Sequence, residues 1–151
     1  ARVLDIGCGL NPFCLPWIQR IGEIRYIGWE IDRRVVDSVN RSAAALDMDA
    51  HAILRDVLVD PPIEPFDMVW LFKMLPCLAQ QSAGDLGELL ARLPAHRLAV
   101  SFPLRSLGGR AKGMRENYSR LMDDLMARQG WVFGTAQWPT ELLYVIEKPR
   151  L

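Results

Sequence analysis

The stretch Asp5-Ile6-Gly7-Cys8-Gly9-Leu10-Asn11-Pro12 has the residue types of a ligand-binding turn. It follows a short apolar run and opens a helical segment, the place where a doubly wound sheet takes its ligand. Two glycines there let the backbone bend sharply and let a ligand approach closely. A dinucleotide fingerprint would place glycine where Pro12 stands, and no Gly-Lys-Ser/Thr phosphate loop occurs anywhere in the chain. A second candidate is Glu30, which ends Tyr26-Ile27-Gly28-Trp29-Glu30. A carboxylate at a strand end accepts hydrogen bonds from both hydroxyls of a ribose. Its neighbour Asp32 has two readings, N-cap of the following helix or a further ligand contact.

Alternating apolar and amphipathic segments must position these groups, and they read as a mostly parallel sheet covered by helices on both faces. Seven strands are expected: Arg2 to Ile6, Ile24 to Trp29, His51 to Leu54, Phe66 to Phe72, Arg97 to Phe102, Trp131 to Gln137 and Leu142 to Glu147. Helices are expected near Phe13 to Arg20, Arg33 to Leu46, Ser82 to Arg92 and Arg115 to Gln129. Leu121, Met122, Leu125 and Met126 recur at helical spacing and form the buried face of the last of these. Only Pro139, Thr140 and their neighbours separate the final two strands, too short a link for a crossover helix, so that pair is antiparallel.

The 151 residues are 50% hydrophobic and 24% charged, enough apolar material for one domain with a core. No uncharged apolar stretch approaches the roughly 18 residues of a membrane-spanning helix, and disorder is excluded by the same composition. Eighteen basic residues balance 18 acidic ones, which argues against a general nucleic-acid coat protein but leaves local patches open. Fifteen of the basic residues are arginine, a bias that a GC-rich genome explains as well as phosphate recognition does. Cys8, Cys14 and Cys77 lack the paired spacings of a zinc site or a disulfide framework, which suits a reducing cytoplasm and no metal. Cys77, among apolar neighbours, reads as a buried structural thiol rather than a nucleophile. The chain has no initiating Met and no signal peptide, and it opens directly on a strand, so it reads as lacking an N-terminal region.

The form Asp-x-Gly-x-Gly after the first strand resembles motif I of the class I methyltransferases that use S-adenosylmethionine. The resemblance implies that the turn of Gly7, Cys8 and Gly9 passes under the methionine part of the cofactor and that the preceding acid, Asp5, helps position the cofactor's groups. It further implies that Glu30 holds the ribose, with Asp32 sharing it or only capping, that Asp56 holds the adenine amino group, and that Ile31, Val57 and Phe72 also belong to the cofactor site. A nicotinamide-dependent dehydrogenase shares the turn and the acid, and the closing antiparallel pair favours the methyltransferase.

The fourth strand leads into Trp70-Leu71-Phe72-Lys73-Met74-Leu75-Pro76, without the Asn/Asp-Pro-Pro-Tyr grip used on exocyclic amines. After the fifth strand, the stretch from Arg105 to Arg120 carries Arg105, Arg110, Lys112, Arg115 and Arg120 against Glu116 alone. Such a glycine-rich basic loop suits an RNA backbone, with Phe102 or Tyr118 to stack on an unstacked base. Charge alone favours an ordinary solvated loop with surface arginines.

The Leu71-Phe72-Lys73-Met74-Leu75-Pro76, Ser101-Phe102-Pro103, Lys112-Gly113-Met114 and Glu116-Asn117-Tyr118 blocks together resemble one narrow family. These are the aminoglycoside-resistance methyltransferases of small-subunit ribosomal RNA, which modify N7 of a guanine in the decoding site. The resemblance runs from Asp5 to Ile146 and makes residues 1–151 the S-adenosylmethionine-dependent domain, without the family's helical N-terminal domain that docks the small ribosomal subunit. It implies Lys73, Ser101 and Phe102 at the acceptor pocket, and Arg105, Arg110, Lys112, Arg115 and Tyr118 on the RNA. Guanine N7 has a lone pair and no proton to lose, so a catalytic His or carboxylate pair is not required. His51 and His96 fall at strand starts, away from the ligand edge, and read as structural. Two other readings stand beside this one: methyl transfer to a small molecule or another RNA, and a cofactor-binding module without catalysis.

Overall fold

The computed structural model describes residues 1–20, 22–81, 85–104 and 113–149. Strands β1 (Arg2–Ile6), β2 (Arg25–Glu30), β3 (Ala50–Leu54), β4 (Phe66–Phe72), β5 (Ala95–Pro103), β6 (Val132–Gln137) and β7 (Glu141–Glu147) form one sheet in the order β3-β2-β1-β4-β5-β7-β6. The first five are parallel, and β7 runs antiparallel to both β5 and β6. All seven expected strands are present within two residues at each end, and the closing pair is antiparallel as the short link requires.

Chain direction across the sheet reverses between β1 and β4, which opens a crevice at the carboxyl ends of the strands. Side chains alternate between the two faces. Leu4, Ile6, Val69, Leu71, Leu98, Val100 and Phe102 join one buried cluster, closed by helices α3 (Leu75–Gln81), α4 (Leu86–Arg92) and α5 (Met114–Gln129). Val3, Tyr26, Trp70 and Ala99 face the other way, against Leu15 of α1 (Leu15–Ile18) and Val36 and Val39 of α2 (Arg33–Ala45). In α5, Met122, Leu125 and Met126 are buried and Leu121 half-buried, as the spacing dictates.

Three helical expectations need correction. The segment near Phe13 to Arg20 is a 3-10 turn over Asn11–Cys14 followed by the single turn of α1, because Pro12 and Pro16 each remove a backbone donor. The helix near Ser82 to Arg92 begins only at Leu86, where Asp85 accepts the Gly87 N–H at 2.6 Å as its N-cap, and 82–84 lie outside the described residues. An unexpected helix, α3, occupies the Leu75-Pro76 region, since a proline in the first turn forfeits no intrahelical bond. At its other end, α4 is closed by Lys148, whose buried ammonium donates to the carbonyls of Leu90 (2.9 Å), Ala91 (3.1 Å) and Leu93 (2.5 Å).

Candidate functional site

The turn after β1 is fastened to β2 through the backbone: Gly7 and Cys8 both donate to the Trp29 carbonyl, at 2.8 and 3.0 Å. Gly7 adopts φ +69°, and a Cβ there would stand 2.2 Å from the Met74 sulfur. The left-handed conformation favours glycine, and a side chain there would also have to displace the flexible Met74 thioether from the cavity wall. Gly28 is dictated by packing alone, because its Cβ would meet the Cys8 sulfur at 2.6 Å. That thiol is buried, and burial pushes its pKa up to about 12, which makes it an inert packing group.

Glu30, half-buried at the end of β2, is held entirely by backbone donors. Its Oε2 accepts from Gly9 at 3.1 Å, and its Oε1 accepts from Ile31 at 2.7 Å and Asp32 at 3.1 Å. The carboxylate thus ties the glycine turn to the start of α2 and stays at the rim of the crevice. Asp32 caps α2: it accepts the Arg34 N–H at 2.9 Å, and hydrogen bonds from the Arg34 side chain hold its carboxyl at about 2. Asp56 accepts the Leu58 N–H at 2.9 Å and shapes the turn after β3.

Asp5 lies beneath the turn. It is 0% exposed, and its Oδ2 accepts from the Tyr26 hydroxyl at 2.7 Å and the Asn11 amide at 3.0 Å. Its Oδ1 has no partner among the described residues. Burial pushes this carboxyl up to about 6, against the two hydrogen bonds, and the charge of Glu30 adds to the rise.

A cavity of about 190 Å³ opens above these groups, walled by Gly7, Trp29, Glu30, Ile31, Arg55, Asp56, Val57, Met74, Cys77, Leu78 and Gln81, with Ile6 at its floor. Two larger hollows, of about 420 and 680 Å³, lie at the opposite end of the sheet, around Phe66 to Asp67 and around Ala1 to Arg2. Size does not decide between them. Of these three, the smaller cavity sits where the strand order reverses between β1 and β4 and gathers the glycine turn, a strand-end carboxylate and apolar walls.

The structure thus brings Gly7, Glu30, Ile31, Asp56 and Val57 to one cavity, with Gly9 tied to it through Glu30. Phe72 is corrected: it packs on the opposite face, stacked on Trp70 with ring centroids 5.2 Å apart, and takes no part in the cavity wall. Cys77 is corrected as well, being exposed and on the wall rather than a buried thiol. Sequence reasoning missed the α3 wall as a whole. Met74, Cys77, Leu78 and Gln81 are spaced three and four residues apart, a helical signal masked by Pro76.

On the acceptor side, Lys73 is exposed and adopts φ +61°, costing roughly 1–2 kcal/mol for a residue with a side chain. Its N–H donates to the Ser101 carbonyl at 2.9 Å, and its ammonium pairs with Glu141 at 3.4 Å. Ser101 is 1% exposed, with a hydroxyl that has no partner among the described residues. Phe102 is a correction: it is fully buried, stacked on Tyr118 at 4.6 Å and edge-on to Tyr144 at 6.0 Å, so neither face is open to a base. Tyr118 is half-buried by the same stack, and Arg115 is exposed on the first turn of α5. Arg105, Arg110 and Lys112 lie outside the described residues. Among the described residues no group of three or more His, Cys, Asp or Glu could hold a metal ion, and no helix is long and apolar enough to cross a membrane. His51 and His96 lie at the start of β3 and β5, far from the cavity in strand register.

Comparison with known proteins agrees with this geometry. The chain is 40% identical over 147 residues to the 16S rRNA (guanine(1405)-N(7))-methyltransferase of Serratia marcescens, covering 97% of this chain and 57% of that protein. The enzyme of the same description from Micromonospora rosea is 34% identical over 144 residues, covering 95% and 53%. The crystal structure of the 16S rRNA methyltransferase RmtF in complex with S-adenosyl-L-homocysteine superposes with a TM-score of 0.84 at 36% identity, covering 98% of this chain and 56% of that one. The chain therefore spans about half the length of the curated relatives it matches. The model of the family described as "Ribosomal RNA methyltransferase (FmrO)" matches residues 1–145, nearly the whole chain, and the chain belongs to that family.

Proposed function

We propose that this chain is the catalytic domain of a methyltransferase that transfers a methyl group from S-adenosylmethionine to N7 of a guanine in the decoding site of 16S ribosomal RNA. The modified ribosome would resist aminoglycosides. One observation carries the reading: in a chain of the FmrO family, the cavity at the point where the strand order reverses joins the Gly7 turn, the Glu30 carboxylate and the Asp56-Val57 turn.

These residues fit the cofactor. Gly7, in a left-handed conformation, lets the backbone of the turn come close to a ligand, and Glu30 presents a carboxylate at the rim where a ribose diol donates. Trp29, Ile31, Val57 and Leu78 offer apolar contact to a purine. S-adenosylmethionine supplies a methyl group on a positively charged sulfur, which a lone pair attacks in line.

Guanine N7 brings that lone pair without a proton, so the domain's task is alignment rather than proton transfer. Methylation leaves the purine positively charged, and an unpaired lysine beside it would oppose that charge. Lys73 is paired with Glu141, which mutes that opposition. Arg115 and the basic residues Arg105, Arg110 and Lys112 would meet the RNA backbone, and Tyr118 lies at the same end of α5. The docking partner is the small ribosomal subunit.

The test is transfer of labelled methyl from S-adenosylmethionine to purified, unmethylated small subunits, followed by nucleoside analysis. Recovery of 7-methylguanosine is the expected result. Transfer to another nucleoside or to a small molecule, with none to the subunit, overturns the reading.

A further inference from the structure

Asp5 and Glu30 flank the Gly7-Cys8-Gly9 turn, one from beneath and one from the rim, and the charge of Glu30 adds to the cost of ionising Asp5. Neither has a cationic partner among the described residues. Asp5 is held by the neutral donors Tyr26 and Asn11, and Glu30 by backbone N–H groups. The other ionisable group against Asp5 is the Cys8 thiol, which burial keeps neutral, and the nearby Arg55 is engaged with Asp60 at 3.3 Å. A buried carboxylate with one unpartnered oxygen and no counter-ion is an unbalanced charge, and a charge in a low-dielectric setting acts over several ångströms.

We propose that Tyr26 and Asn11 are positioning residues for cofactor binding: by donating to one oxygen of Asp5 they keep a negative charge fixed under the turn, where it attracts the ammonium group of the ligand's zwitterionic amino-acid end. This rests on the cofactor reading above. It goes further by assigning roles to two residues outside the cavity wall and by making binding sensitive to a proton.

The sign follows from the buried carboxyl lying at about 6. The ammonium of the ligand favours the ionised form, so affinity rises with pH through that value and levels off above it. At pH 5 roughly one-tenth of Asp5 is ionised, so binding should be up to about tenfold weaker than at pH 7.5. Losing the Tyr26 hydroxyl withdraws support from the carboxylate and moves the midpoint to higher pH. Both histidines sit at the other end of their strands, away from the cavity, and so do not supply this dependence.

The experiment is calorimetric titration of the wild-type chain and of Tyr26→Phe and Asn11→Ala with S-adenosylhomocysteine between pH 5 and 7.5. In parallel, 5′-methylthioadenosine, which keeps the nucleoside but lacks the amino-acid end, is titrated over the same range. The expected result is a rising affinity for the first ligand, a flat one for the second, and a midpoint shifted upward in Tyr26→Phe and Asn11→Ala. The carboxyl carbon resonance of Asp5, followed through the same range without ligand, reads its titration in each folded variant. A flat profile for S-adenosylhomocysteine, equal profiles for the two ligands, or unshifted midpoints in both variants would overturn the proposal while leaving the cofactor site standing. Absence of binding by either ligand at every pH would overturn both.

Discussion

The two sides of the crevice are built by different means. On the β1-β2-β3 side, the groups facing the cavity are fixed by short backbone bonds: Gly7 and Cys8 to Trp29, Gly9 to Glu30, and Arg55 to the Glu30 carbonyl at 3.0 Å. On the β4-β5-β7 side, the candidate groups are placed by side-chain packing across the sheet. Phe102 leans on Tyr118 and Tyr144, and Lys73 reaches across to Glu141. Only the second arrangement needs α5 and β7 seated before it exists. The first side is thus a local cradle, whereas the second is a consequence of the whole core.

Removing Phe102 is the strongest test of that contrast. Phe102→Ala should cost about 3–5 kcal/mol, the range for emptying a fully buried aromatic site. The melting temperature should fall by roughly 10 °C, at about 2–4 °C per kcal/mol for a domain of this size. Affinity for S-adenosylhomocysteine, measured well below the transition, should stay within about twofold. A variant that keeps its stability but loses RNA binding would restore Phe102 as a base-stacking residue and erase the distinction between the two sides.

The converse test is Glu30→Ala. It strips the acceptor from three backbone N–H groups that stand close to solvent, so stability should drop by only about 1 kcal/mol. Cofactor affinity should fall at least tenfold, corresponding to about 1.4 kcal/mol for a lost charge-assisted contact. Wild-type affinity in calorimetry would remove Glu30 from the site.

This contrast also explains how legible each side was. The β1 turn, Glu30 and the Asp32 cap follow from residues within a few positions of each other, where turn and capping chemistry act. The central strands were legible because a sheet buried on both faces shows as apolar runs such as Met68–Phe72, whereas β6, exposed along its length, was legible from the short link that pairs it with β7. Phe102 and Phe72 were misread because residue type does not say which aromatic face another ring already covers. That depends on Tyr118 and Trp70, which only the packed fold brings against them. Helix α3 was hidden because Pro76 signals a break everywhere except in a first turn.

The smallest expected effect belongs to Arg115, which stands exposed on the first turn of α5 with no ion pair among the described residues. Gly113, in a left-handed conformation at the N-cap, offers no side chain to the free N–H groups there, so the helix end retains its partial positive charge beside the arginine. If a phosphate settles there, Arg115→Ala should weaken binding to small-subunit RNA only about two- to fivefold at moderate salt. It should also reduce the slope of log affinity against log salt by about 1. Affinity for S-adenosylhomocysteine should not change, since no atom of this turn lines the cavity. An unchanged salt slope would place the RNA elsewhere on the β4-β5-β7 side. A loss of cofactor affinity would show instead that the local cradle and the packed side are energetically coupled.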